Sequence, residues 1–172
     1  MKAMRKTTGT LFALLTLVTL LLQGCYSFSG ASIPPHLNTV AVPLFDDTSQ
    51  AGIAEYREYI TRSLVNKIES QSTLSIEADP TRADSVLKGA IVAYSDEPSQ
   101  LGSVTERAVT NRITIVLQAE FNDQVKNTTL FSQTFVGFAD YQVGSYTKQQ
   151  EAIRNAYNMA LDDLFNRMIS NW

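Results

Sequence analysis

The feature that most constrains the fold is a stripe of apolar residues near the C-terminus, repeated at intervals of three and four positions. The stripe consists of Ile153, Ala156, Tyr157, Ala160, Leu161, Leu164, Phe165 and Met168. This period predicts an amphipathic helix that ends near Ile169, and Thr147 with Gln150 has the pattern of a capping box at its start. Because one face of such a helix is apolar, the rest of the chain must supply a layer that covers it.

Strands with a period of two are predicted to supply that layer. The clearest alternation places one set of apolar residues on a shared face: Ile113, Ile115, Leu117, Ala119 and Phe121. The other predicted strands are residues 39–45, 86–94 and 129–138, with a short strand possible at 74–76. In the predicted strand 86–94, the side chains of Val86, Ala90, Val92 and Tyr94 are predicted to lie on one face. Residues 95–105, which include Pro98 and Gly102, are predicted to form a polar loop.

A second amphipathic helix is predicted over residues 51–70. Its apolar positions are spaced by three or four residues: Ile53, Tyr56, Ile60, Leu64 and Ile68. The order of elements is therefore β-α-β-β-β-α. Two helices and a set of strands, each with one apolar face, predict an α+β fold: a two-layer sandwich with both helices packed on one face of a four-stranded mixed sheet.

The N-terminus has the pattern of a bacterial lipoprotein signal. A basic start is followed by apolar residues 11–22, which are too few to span a hydrocarbon layer of ~30 Å as a helix. Leu22-Gln23-Gly24-Cys25 then resembles a lipobox, although Gln23 stands where a small residue is usual. We predict a signal peptide at 1–24, a lipid-anchored tether at 25–37 that begins with an acylated Cys25, and a single α+β domain at 38–172.

The residue after the cysteine and the net charge bear on location and partners. Tyr26 is not the Asp that retains lipoproteins in the inner membrane, so we expect an outer-membrane anchor with the domain facing the periplasm. Removal of the signal lowers the count of basic residues from 14 to 11, against 17 acidic residues, which leaves a net charge of −6. This sign argues against nucleic acid as a partner, because phosphate binding needs a basic surface.

Residues that could support catalysis are few. His36 is the only His in the chain, and its position in the predicted tether indicates a solvated side chain. Asp46 and Asp47 precede the first predicted helix and are interpreted as N-caps. The sequence has no nucleophile elbow, phosphate-binding loop or zinc-protease motif. We therefore expect a protein that is not an enzyme and that has no metal or cofactor apart from the lipid on Cys25.

Three segments and the C-terminal helix together resemble the LptE family of lipopolysaccharide-assembly lipoproteins. The segments are Cys25-Tyr-Ser-Phe-Ser-Gly30, Ile33-Pro-Pro-His-Leu-Asn-Thr-Val-Ala-Val-Pro-Leu-Phe45 and Ala83-Asp-Ser-Val-Leu-Lys-Gly-Ala-Ile91. The resemblance implies two helices on a four-stranded sheet. It also implies a plug inside LptD, a large outer-membrane β-barrel, which such proteins help to assemble and through which they help to deliver lipopolysaccharide to the cell surface. Some members of the family are credited with binding lipopolysaccharide directly.

The direction of the strands predicts where such a ligand could bind. The 95–107 and 139–147 segments should lie at one end of the domain, and the lipid tether should leave from the other. Arg107, Arg112 and Lys148 would then lie at the end away from the tether, where they could bind phosphates of the lipopolysaccharide head group. These three cations are the predicted lipopolysaccharide-binding residues.

A second interpretation remains open. The strand followed by a helix at residues 38–70 is also similar to periplasm-facing lipoproteins that activate a cell-wall synthase or form part of a secretion pore. The regular hairpin with a long terminal helix, and a tether too short to cross the periplasm, favour the transport plug.

Overall fold

The structure, a computed structural model, describes residues 33–51, 55–101 and 108–170. The elements in chain order are β1 (Thr39–Ala41), β2 (Asp46–Asp47), α1 (Glu55–Gln71), β3 (Ser75–Ile76), β4 (Ser85–Leu101), β5 (Ala108–Asp123), β6 (Thr128–Gln142) and α2 (Tyr146–Ile169). The strands form one mixed sheet in the order β3-β1-β4-β5-β6, with β2 paired to β4. β1 pairs in parallel with β3 and β4, as β2 does with β4, whereas β4, β5 and β6 are antiparallel.

Both helices pack against this sheet around one core, and the predicted α+β class is confirmed. All eight residues of the C-terminal stripe are buried on α2, and α1 buries Ile60, Leu64 and Ile68. These side chains meet the alternating apolar residues of β5 in a single cluster. Burial of each large side chain contributes roughly 1.5–3 kcal/mol, so this shared core is the main source of stability.

In the described part of the chain the sheet has six strands, where the sequence pattern predicts four. Of the predicted strand 39–45 only residues 39–41 form a strand, β1, because Pro43 has no N–H to donate to a strand ladder, and the chain pairs again as β2 just after Phe45. The possible short strand at 74–76 forms as β3. Asp46 and Asp47 are not N-caps of α1: they lie in β2 opposite β4, and the described part of α1 begins only at Glu55.

The largest difference from the predicted elements lies in β4, which continues to Leu101 through most of the predicted loop 95–105. This part of β4 pairs with β5, and a register shift follows Pro98. A run of polar residues argues against a strand only where that strand would have to bury one face against the core. Beyond the covered core, hydrogen bonds of the backbone hold the strand regardless of side-chain polarity.

A β-bulge also changes which residues of β4 face the helices. The register shifts by one residue between Ile91 and Ala93. Before the shift Leu87 and Ile91 are buried in the main core, and after it Tyr94 packs against that core. The prediction of one shared face is therefore wrong for Val86, Ala90, Val92 and Tyr94, since an inserted residue reverses the alternation.

α2 is fixed both at its start and along β6. Its N-cap is Ser145, whose hydroxyl accepts a hydrogen bond from the Lys148 backbone N–H, so the cap lies two residues before the predicted Thr147. Over β6, a Cβ added to Gly137 would lie only 1.9 Å from the Ala156 carbonyl oxygen. The absence of a side chain at Gly137 is what allows this close contact between helix and sheet.

Candidate functional site

The direction of the strands gives the domain two distinct ends. β1 and β4 start, and β5 ends, at the end that also holds residues 33–38, which we call the proximal end. β4 ends, β5 starts, β6 ends and α2 begins at the opposite end, which we call the distal end. Within the described residues, the predicted separation of the tether side from the two distal segments is confirmed.

A hydrogen bond between His36 and a buried carboxylate holds the first described residues to the proximal end. His36 Nε2 lies 2.5 Å from Asp123 Oδ2, and Asp123 is only 2% exposed. Burial alone would raise the pKa of Asp123, but hydrogen bonds from the Lys126 backbone N–H and from His36 outweigh it and hold the pKa below its usual value.

The prediction of a solvated His36 is therefore wrong, because its partner lies 87 residues further along the chain and no local pattern marks it. Ile33 and Leu37 also pack against the main core. These contacts attach residues 33–37 to the domain, which the sequence pattern predicts to start at residue 38. Cys25, the predicted lipidation site, lies outside the described residues.

Arg112 lies on the face of the sheet that points away from the helices. Its Nε and Nη2 donate to the two carboxylate oxygens of Asp140 at 2.8 and 2.9 Å, and its guanidinium carbon lies 4.7 Å from the Phe138 ring centroid. The hydrogen bonds and charge of this pair raise the pKa of Arg112 and lower the pKa of Asp140. Arg112 is thus held flat on the strand surface by a bidentate partner and an aromatic ring.

The other two predicted lipopolysaccharide-binding residues do not converge on Arg112. Lys148 lies in the first turn of α2, in the helix layer, and its Nζ donates to Glu151 at 2.8 Å. Arg107 lies outside the described residues. The two described cations therefore share the distal end but belong to opposite layers, and each already has a carboxylate partner.

A polar cluster that the sequence pattern does not reveal joins four elements at the distal end. Asp96 accepts hydrogen bonds from Asn111 Nδ2, Tyr141 OH and Gln149 Nε2 at 2.7–2.8 Å. Burial, together with the hydrogen bond and charge of Asp96, raises the pKa of Tyr141. Because these residues come from β4, β5, β6 and α2, the cluster holds the start of α2 against the distal strands. Asp96 falls in the predicted loop, so its direction could not be read from periodicity.

Tyrosine side chains fill the space between the start of α1 and the middle of α2. The ring of Tyr157 stacks on Tyr56 with centroids 5.2 Å apart and meets Tyr59 edge-on at 6.5 Å. Burial first, and the charge of Asp96 second, raise the pKa of Tyr94 to about 12. Burial also raises the pKa of Tyr157, whose hydroxyl has no hydrogen-bond partner among the described residues. The spacing of Tyr56 and Tyr59 on one helix is the only local signal of this group.

Two classes of feature are not found in the part of the chain that the structure describes. No three His, Cys, Asp or Glu side chains there come together in a way that could hold a metal ion. Neither of the two described helices is both long and apolar enough to cross a membrane.

Comparison with known proteins gives one family match. The model of a family described as LptE, lipopolysaccharide-assembly, matches residues 37–168. No curated protein matches the chain by sequence.

Several solved structures share the fold at low sequence identity. A protein from Xanthomonas campestris aligns with a TM-score of 0.57 and 12% identity over 81% of this chain and 90% of its own. A lipoprotein B from Nitrosomonas europaea aligns with 0.54 and 14% identity over 78% and 83%. The PelC dodecamer subunit from Paraburkholderia phytofirmans aligns with 0.53 and 11% identity over 83% and 95%. At these identities the alignments establish a shared fold.

Proposed function

Because the chain belongs to the LptE family of lipopolysaccharide-assembly proteins, we propose that it is an outer-membrane lipoprotein that plugs the LptD β-barrel, helps the barrel assemble, and aids delivery of lipopolysaccharide to the cell surface. The observation that carries this proposal is the extent of the family match. Residues 37–168 run from just before β1 to the last turn of α2, so every described element takes part in it. The proposed role is non-catalytic.

The shape of the domain supports a plug anchored at one end. Cys25 precedes Ile33 by eight residues, which reach roughly 28 Å at most when extended. β4 has 17 residues, which span roughly 55 Å at the usual rise of a strand and exceed a hydrocarbon layer of ~30 Å. A lipid on Cys25 would thus keep the proximal end near the periplasmic surface of the outer membrane while the distal end extends into a barrel.

We assign lipopolysaccharide contacts to the distal cations Arg107, Arg112 and Lys148. Guanidinium and ammonium groups form charge-assisted hydrogen bonds with phosphate, and Arg suits bidentate contacts in particular. The pairing of Arg112 with Asp140 adds a condition to this assignment, because a phosphate must compete with the carboxylate for the same two N–H donors. Asp140 should therefore weaken phosphate binding at Arg112.

The direct test is isolation of the full lipidated protein from outer membranes in mild detergent, with mass spectrometry of the proteins that accompany it. The matched control is the Cys25→Ala variant, which cannot be acylated. We expect a large β-barrel in stoichiometric amount with the lipidated protein, and less of it with the variant.

Two results would contradict the plug. Recovery of a cell-wall synthase would favour an activator, and recovery of a ring of copies of the chain would favour a secretion pore. Either result, obtained without a barrel, would replace the proposed function.

A further inference from the structure

The two helices leave an open groove between them, bridged by polar side chains. Three pairs cross it: Tyr56–Gln150, Tyr59–Asn158 and Lys67–Asp162. Neighbouring helices of one layer usually meet through apolar side chains, because that contact extends the core. Beneath the groove α1 and α2 do meet in the core, where Tyr157 packs on Tyr56 and Tyr59, but at the groove itself they meet through hydroxyl, amide and charged groups.

The groove has two adjoining parts with different linings. The lower part is a depression of about 380 Å³ whose walls include Ser63, Asn66, Ser70, Gln71 and Asn158. The upper part, of about 320 Å³, is lined by Tyr56, Tyr59, Gln150 and Arg154. The two parts meet at the Tyr59–Asn158 hydrogen bond of 3.1 Å.

The lining argues against the commonest ligands of surface grooves. An acyl chain or an amphipathic helix needs an apolar seam, and Leu161 is the single apolar residue of the lower part. A phosphate needs free positive charge, but Lys67 pairs with Asp162, which brings a carboxylate into the lower part. The upper part is lined by one cation, Arg154, whose Nε donates to the Gln150 carbonyl oxygen at 3.5 Å. A ligand rich in hydroxyl groups is left as the best match.

We infer that this groove binds a carbohydrate chain. Sugar hydroxyls both donate and accept hydrogen bonds, as the amides of Asn66, Gln71 and Asn158 do. The C–H faces of sugar rings are apolar and pack on flat aromatic rings, for which Tyr56 and Tyr59 line the upper part. From Tyr56 to Gln71 the helix rises roughly 22 Å, which is enough for several sugar units in a row.

This inference goes beyond the plug and does not require it. The groove lies in the helix layer, whereas Arg112 lies on the opposite face of the sheet. The sugar chain could belong to a glycolipid such as lipopolysaccharide or to a free polysaccharide, and both present the same hydroxyl-rich surface.

The test is isothermal titration calorimetry, which measures the affinity of the full-length protein in detergent for two probes. One probe is the core oligosaccharide of fully deacylated lipopolysaccharide, and the other is a neutral dextran oligosaccharide. Tyr59→Ala should weaken binding by about tenfold or more, whereas Tyr59→Phe, which keeps the ring, should change it by less than about threefold. Asn66→Ala should also weaken binding, and Arg62→Ala, on α1 but outside the groove, should leave it unchanged.

The outcomes separate the sources and the two proposals. Binding of the core oligosaccharide alone indicates a glycolipid ligand, and binding of both probes indicates a general glycan site. The inference is overturned if neither probe binds at millimolar concentration, or if both Tyr59→Ala and Asn66→Ala bind as well as the unmodified protein. Oligosaccharide binding by a protein that captures no barrel would sustain the groove and reject the plug.

Discussion

Substitution of Gly137 by Ala should separate α2 from the sheet. The added Cβ would lie 1.9 Å from the Ala156 carbonyl oxygen and 2.8 Å from the Ala160 backbone nitrogen, where ordinary contacts begin at 3.4 Å. Both neighbours are backbone atoms, so no side-chain rotation can relieve the overlap. The helix itself must move, and with it the nine buried residues that α2 contributes to the core.

The expected loss lies at the upper end of the range for overpacking, about 3 kcal/mol. The sign is informative, because Gly to Ala in a strand with room for the methyl group would stabilise by roughly 0.5–1 kcal/mol through the lower backbone entropy of the unfolded chain. For a domain of this size, a loss of about 3 kcal/mol lowers Tm by roughly 10–15 °C.

Thermal unfolding followed by circular dichroism, with urea unfolding as a second measure, gives the change in free energy of unfolding. The matched control is Thr134→Ala, on the same strand but exposed on the face away from α2, where the change should stay within about 1 kcal/mol. A Gly137→Ala variant as stable as the unmodified protein, or more stable, would refute the reasoning on helix–sheet contact.

Three further predictions concern the buried polar groups and the distal cations. Asp123→Asn should cost about 2–3 kcal/mol at pH 7 in urea unfolding, because it replaces the buried carboxylate that is hydrogen-bonded to His36 and to the Lys126 backbone N–H. Since the folded-state pKa of Asp123 is lowered, this stabilisation is fully present above the unfolded value of about 3.9 and is lost as pH falls through the folded pKa. The difference in stability between the two proteins should therefore begin to narrow below about pH 4 and vanish below the folded pKa, and a difference that does not narrow would contradict this. Tyr157→Phe should be neutral or stabilise by up to about 1 kcal/mol, because the buried hydroxyl it removes has no hydrogen-bond partner in the part of the chain that the structure describes, and a loss above about 1 kcal/mol would contradict this. Joint replacement of Arg107, Arg112 and Lys148 by Ala should weaken lipopolysaccharide binding in a salt-sensitive way, measured by surface plasmon resonance at two salt concentrations; equal affinity in the triple variant would reject the assignment.

Regular periodicity made the larger elements predictable from sequence. The stripe on α2 and the alternation of β5 are both buried as the pattern predicts, because the period of an element is a local property of its backbone. The α+β class follows from these faces, since each must be covered. The family resemblance rests on sequence in the same way, and the family match confirms it.

Departures from periodicity were not predictable, and they determine the site. The bulge in β4 reverses the alternation before Tyr94, and the distal strand is held by backbone pairing that its polar side chains do not indicate. Asp96 faces α2 only because of both features. A sequence pattern cannot place such a residue, because a one-residue shift of register moves it to the other face of the sheet.

The sequence by itself therefore determined the class of fold, the direction of the chain and the two ends, because these depend on local period and on the order of elements. Only the tertiary structure decided which polar side chains are paired. His36 with Asp123 and Arg112 with Asp140 are separated by 87 and 28 residues. A polar side chain carries no local mark of a distant partner, and it is the folded sheet that brings the two together.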